Sequence, residues 1–133
     1  MVETLGLRGF VDLEDVVDIL GLKVYELPME PELQEFKRGR QIVVRKALPK
    51  EWKRFVIAHA IGHHLLHGGN QVFMRKATAY ADPMEHQADT FAFRLLVNYK
   101  DIIRHNLHEA WEVAEYFGVP EERVRVQKAL IFS

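Results

Sequence analysis

From Pro49 to His67 the apolar residues fall on no single stripe. Phe55, Val56, Ile57, Ala60, Ile61, Leu65 and Leu66 cover most of the circumference that a helix would present. A helix that is apolar nearly all round is a buried one, so this segment predicts a helix at the centre of the domain. Pro49 sits in the first-turn position that proline favours, and Gly68-Gly69 supply a stop. The same segment carries His59 and His63, four positions apart. Both histidines are therefore expected inside the protein, where a polar ring needs a partner.

Four residues of helix amount to about 400° of rotation and about 6 Å of rise, so the two imidazoles point the same way. That spacing lets them take adjacent corners of a tetrahedron around a zinc ion, at Zn–N distances of about 2.0–2.1 Å. The chain has no cysteine, which removes thiolate sites, disulfide scaffolds and cysteine nucleophiles together. Glu85 is the candidate third ligand. It lies in the first turn of a second predicted helix, opened by Asp82-Pro83 and continued by Ala88, Phe91, Ala92, Leu95 and Leu96. Two histidines and a glutamate form a catalytic zinc set with the fourth position open to water.

Asp89 lies one turn beyond Glu85 on the same face. A ligating histidine usually gives its other ring N–H to a carboxylate, and Asp89 is the candidate acceptor for His59 or His63. Ala58, Gly62, Ala88 and Ala92 are small enough to let the two helices approach closely. His67 is too far from His59, at about 12 Å along the axis, to share an ion with it. It reads as a C-terminal cation favoured by the helix dipole, or as a neighbour of the site. His64 is expected at the surface. His86, His105 and His108 have no usable spacing. The competing reading is a chance pair of histidines in a packed helix, which the carboxylates on the second helix weigh against.

The rest of the chain supplies a small mixed fold. Residues 12–20 predict a short amphipathic helix, with Asp12 as cap and Gly21 as stop. Lys23 to Leu27 predicts a strand ended by Pro28. Leu33 to Lys37 and Gln41 to Arg45 predict a hairpin turning at Gly39. Gln71 to Met74 fits an edge strand, and residues 99–107 fit another short helix. The tail from Glu109 reads as helix, turn at Gly118-Val119-Pro120, then helix. With 133 residues and no repeat or linker, one domain spanning 1–133 is expected. Neither a secretory leader nor an apolar run of the roughly 18 residues that a membrane span needs is evident, so the expected location is cytoplasmic and off the membrane.

Charge gives little direction, since the net value is −1. The window 34–54 holds eight Lys/Arg against two Asp/Glu, and is read as a solvated face of the hairpin and helix start. The tail resembles a helix-turn-helix. However, residues 109–133 carry five Glu against three Lys/Arg, and Glu121-Glu122 opens the would-be recognition helix. Repulsion from phosphate argues against direct DNA binding there.

At Arg54-Phe55-Val56-Ile57-Ala58-His59-Ala60-Ile61-Gly62-His63-His64-Leu65-Leu66-His67 and Glu85-His86-Gln87-Ala88-Asp89-Thr90-Phe91-Ala92-Phe93-Arg94-Leu95-Leu96, the chain resembles the zinc metallopeptidase domains of the ImmA/IrrE type. The N-terminal helix–strand–hairpin and the tail Ala114 to Pro120 fit the same pattern. The resemblance implies an α+β, zincin-like minimal metallopeptidase domain, with a central buried zinc-binding helix, a small β-sheet with hairpin, and C-terminal helices. It implies Zn²⁺ held by His59, His63 and Glu85. It also implies a protein substrate, typically a helix-turn-helix repressor, with some members acting in toxin–antitoxin or phage operons.

Two departures stand out. Val97-Asn98 replaces a proline common after the Leu-Leu pair, which touches only a helix end. More consequential is Ala60, which occupies the position of the family's catalytic glutamate. That glutamate takes a proton from the attacking water and passes it to the leaving amine, work that alanine cannot do. It is not a ligand, so metal binding is expected to survive while catalysis is impaired. Two origins of Ala60 are open: a substitution made to trap an inactive enzyme, or a natural pseudopeptidase that binds zinc and a partner without cleaving. A structural or antitoxin-like role without chemistry is a further alternative. The group that polarises the scissile carbonyl has no clear candidate beyond Tyr80.

Overall fold

Local signals fix most of the element boundaries in the computed structural model, which describes residues 12–67, 72–76 and 83–127. Helix α1 (Leu13–Leu20) begins where Asp12 accepts the Glu14 backbone N–H at 3.0 Å. It ends at Gly21, whose φ of 69° is the left-handed conformation that glycine adopts without strain. Strands β1 (Lys23–Leu27), β2 (Leu33–Arg38) and β3 (Gln41–Arg45) follow, with Gly39 at φ 59° in the β2–β3 turn. β3 pairs parallel with β1 and antiparallel with β2. Strand β4 (Val72–Lys76) adds antiparallel to the free side of β2, giving a four-stranded sheet in the order β1-β3-β2-β4. The edge strand expected at 71–74 is therefore present, moved slightly along the chain. β2 lies in the interior of the sheet.

The long helix α2 (Lys50–Leu66) packs on β2 and β3 with one side and along α3 (Pro83–Leu96) with another. Pro49 is its cap and His67 closes its last turn. Contact on both sides accounts for most of its mixed apolar pattern: Phe55, Val56, Ala58, Ala60 and Ile61 are all fully buried, whereas Leu65 and Leu66 in the last turn are exposed. Helices α4 (Tyr99–Arg104), α5 (Ala110–Phe117) and α6 (Glu121–Val126) complete the described chain. Asn98 caps α4 through backbone N–H groups of Lys100 and Asp101, and Gly118 (φ 67°) ends α5. The core joins Ile42 and Val44 of the sheet to Leu96, Val113, Phe117 and Val124 through α2. Arg54 of α2 donates to the carbonyls of Phe117 and Gly118, at 3.1 and 3.0 Å, tying the C-terminal end of α5 to the central helix.

The architecture is α+β and zincin-like, as expected. One reading needs correction: the basic window is not simply a solvated face. Lys37 is fully buried on β2, with Nζ donating to the Gly39 carbonyl at 2.6 Å, and Glu35 is fully buried on the same strand. Strand alternation turns both toward the interior. The expectations about Met1 to Phe10, Gly68-Gly69, Asp82 and Tyr80, and about the tail beyond 127, fall outside the described residues. Among the described residues no helix is long and apolar enough to cross a membrane.

Candidate metal centre

The close approach of α2 and α3 depends on small residues. A Cβ added to Gly62 would stand 3.1 Å from the Phe91 ring and 3.3 Å from the Ala88 backbone. Ala58, Ala88 and Ala92 are fully buried along the same contact. This brings His59 and His63, both with no exposed surface, opposite Glu85 and Asp89, which are nearly as buried.

Ligand atoms of His59, His63 and Glu85 all lie within 4.8 Å of one another. Glu85 spans the two rings: its Oε2 is 3.0 Å from His59 Nε2 and its Oε1 is 2.8 Å from His63 Nε2. The rings meet edge to face, with centroids 4.7 Å apart. On the far side of His59, Nδ1 lies 2.7 Å from Asp89 Oδ1. A ring that gives its Nδ1–H to Asp89 keeps only a lone pair at Nε2 when neutral. That lone pair then faces a carboxylate oxygen across 3.0 Å. Two acceptors aimed at one another in a buried site are an arrangement that a cation satisfies. The donor set of two imidazoles and one carboxylate thus suits a metal ion such as zinc.

The charge states agree with this chemistry. Burial pushes the His63 ring below its usual pKa of 6.5. The hydrogen bond to Glu85 opposes the shift, and the neighbouring His59 and His67 add to it. The neutral ring is the form that binds metal. Burial alone would raise the Glu85 carboxyl, but the His59 and His63 rings beside it outweigh burial and hold the pKa at about 2. Glu85 is therefore an anion at neutral pH.

Two residues at the site have no counterpart in the sequence reading. Glu35 of β2 places Oε1 3.9 Å from His59 Nε2, with both side chains fully buried. Arg123 of α6 holds the other oxygen of Asp89, Nη2 to Oδ2, at 3.2 Å, with its guanidinium 5.5 Å from the Phe55 ring centroid. The α6 arginine, the Asp89 carboxylate and the His59 ring therefore form one continuous chain. Strand alternation puts Glu35 on the same face as Lys37, which from sequence reads as a charged, solvated face, so no local signal flagged it. Nothing local could have paired Arg123 with a residue on α3. His64 is half-buried rather than at the surface, and burial together with the nearby charges of Lys37 and Arg40 lowers its pKa. His67 stacks its ring 5.1 Å from that of His63, while His86, His105 and His108 are exposed and away from the cluster. Ala60 is fully buried beside His59 and brings no polar atom to the site.

Residues 17–127 match the sequence profile of the IrrE N-terminal-like domain, a peptidase family. Over 131 residues, 90% of this chain and 75% of the relative, the chain is 28% identical to Metallopeptidase ImmA of Bacillus subtilis (strain 168). It is 38% identical over 63 residues to the uncharacterized immunity region protein 2 of Bacillus phage phi105, a match spanning 46% of this chain and 40% of that protein. No solved structure matches.

Proposed function

The chain belongs to the IrrE N-terminal-like metallopeptidase family, and from that premise we propose that it is a zinc-binding peptidase domain acting on a protein substrate in the cytoplasm. The observation that carries this reading is the buried convergence of His59, His63 and Glu85 within 4.8 Å. His59 and His63 would hold the ion, and Glu85 would complete the set. Asp89 fixes the His59 tautomer, and Arg123 fixes Asp89. Bound there, zinc would act as a Lewis acid that polarises the scissile carbonyl and assists the attacking water. The closed environment of α2, α3 and β2 strengthens each of these electrostatic interactions.

Ala60 sets the limit on the chemistry. A positioned acid–base group is worth roughly 10²–10⁴ in rate, and that contribution is missing from α2. Either origin of Ala60 has the same consequence: the metal ligands are kept and α2 brings no acid–base group of its own. The proposed partner is a helix-turn-helix regulator, supported by the resemblance of the chain to ImmA and to a phage immunity-region protein. The acidic start of α6, Glu121-Glu122, supports a protein partner rather than DNA.

The test is metal content with a thermal readout. Purified chain is expected to hold close to one zinc per molecule, and chelation is expected to lower the melting temperature. At free zinc about 100 times the dissociation constant, the stabilisation is about 2.7 kcal/mol. His59→Ala is expected to abolish the zinc-dependent increment. Persistence of that increment in His59→Ala, or no zinc in the unmodified protein, refutes the metal centre. For the substrate, Ala60→Glu is compared with the unmodified chain on candidate regulators encoded nearby. Failure of the glutamate form to cleave any of them refutes the peptidase reading.

A further inference from the structure

A second carboxylate reaches the metal centre from the sheet. Glu35 sits on β2, fully buried, with Oε1 3.9 Å from His59 Nε2. That nitrogen is the one left to hold an ion, because Nδ1 is taken by Asp89. Donors sharing a tetrahedral zinc stand about 3.4 Å apart, given Zn–N and Zn–O distances near 2.1 Å. The mutually close ligand atoms belong to His59, His63 and Glu85, and Glu35 stands outside that group. It approaches on the His59 side, slightly beyond a ligand–ligand edge. From there its carboxylate is within reach of a group at the open position.

The same strand also carries a buried cation. A fully buried carboxylate is costly without compensation. Two residues along the same strand, Lys37 is also fully buried, and Glu35 offsets part of the downward push that burial exerts on its pKa. The interior strand thus carries an acid and an ammonium side by side against the central helix. The helix itself offers only the methyl of Ala60.

We propose that Glu35 supplies from the sheet the carboxylate that the helix lacks at Ala60. This rests on the metal-centre reading above. In the step it serves, an O–H bond of the attacking water breaks and its proton passes to the Glu35 carboxylate. The water oxygen bonds to the scissile carbonyl carbon. When the C–N bond breaks, its electron pair stays on nitrogen, and Glu35 returns the proton to the departing amine. The products are one carboxylic acid and one amine, and Glu35 is regenerated as a carboxylate. Glu35 is then a catalytic residue, placed on a different element from the usual one.

The test uses the zinc-loaded protein and acetohydroxamate, a small chelator whose hydroxyl donates to the carboxylate at the open position of such sites. Zinc affinity is first measured by competition with a chromophoric chelator, then acetohydroxamate binding by calorimetry. Glu35→Gln, nearly isosteric, is expected to keep zinc affinity within threefold and to weaken acetohydroxamate at least tenfold. Adding Ala60→Glu to Glu35→Gln is expected to restore the lost affinity, an outcome that a packing defect at position 35 would not produce. Unchanged acetohydroxamate affinity in Glu35→Gln, joint loss of zinc and acetohydroxamate, or no rescue by Ala60→Glu overturns the assignment. Failure of the metal centre itself is seen separately, as absent zinc binding by the unmodified chain before any acetohydroxamate is added.

Discussion

Arg123→Met isolates the contribution of the C-terminal helix to the site. Arg123 Nη2 lies 3.2 Å from Asp89 Oδ2, with side-chain exposures of 11% and 4%, so little solvent screens the pair. Removing one member of a buried ion pair costs about 3–5 kcal/mol, because a buried charge loses its compensation. Two features place this case at the lower end. Asp89 keeps the His59 ring at 2.7 Å, and methionine still packs on Phe55 where the guanidinium lay over the ring. The expected loss is about 3 kcal/mol, or roughly 10 °C in melting temperature for a domain of this size. Urea unfolding of zinc-free protein by circular dichroism measures it without a metal contribution. Combined with Asp89→Asn, the second substitution should cost much less than it does alone, with a coupling of about 2 kcal/mol, because the buried charge is gone. A loss below about 1 kcal/mol for Arg123→Met, or strict additivity in the double variant, refutes the argument that this pair is compensated as a unit.

Two further outcomes follow from particular contacts. Gly62→Ala places a Cβ 3.3 Å from the Ala88 backbone, which cannot turn aside as a side chain can. It is expected to destabilise by about 1–3 kcal/mol and to weaken zinc binding by spreading α2 from α3; an unchanged melting temperature and zinc affinity refutes the close-packing argument. Glu112 accepts from the backbone N–H groups of Glu109 and His108 at 2.9 and 3.1 Å, and these hold its carboxyl below the usual value. A depressed folded pKa contributes stability above the unfolded value that is lost as pH falls through the folded one. Glu112→Gln is therefore expected to lower stability near neutral pH and to flatten the acid limb of the melting-temperature profile below about pH 4.5. Identical acid limbs refute the capping role.

The elements were largely legible because their signals are local. Asp12 and Gly21 bound α1, Gly39 turns the hairpin, and the all-round apolar pattern of 49–67 announced a helix with contacts on two sides. The four-residue spacing of His59 and His63, and of Glu85 and Asp89, fixes which side chains share a helix face whatever the tertiary structure does. Asn98 as the α4 cap went unread, since one side chain serving two backbone N–H groups leaves no periodic trace.

What the sequence determined by itself is the half-site on each helix and the absence of an acid–base group at Ala60. Tertiary structure decided which half-sites meet, and it added two residues that no spacing announced. Glu35 reaches His59 because β2 lies in the interior of the sheet, beneath α2. Arg123 reaches Asp89 because α6, packed on α5, carries its arginine side chain over to α3. In the sequence Glu35 looked like one charge in a basic, solvated window and Arg123 like a lone cation in an acidic tail. Burial made the difference, since a charge taken out of water must find a partner in the interior. Only the packing of strand and helix against α2 and α3 supplies those partners.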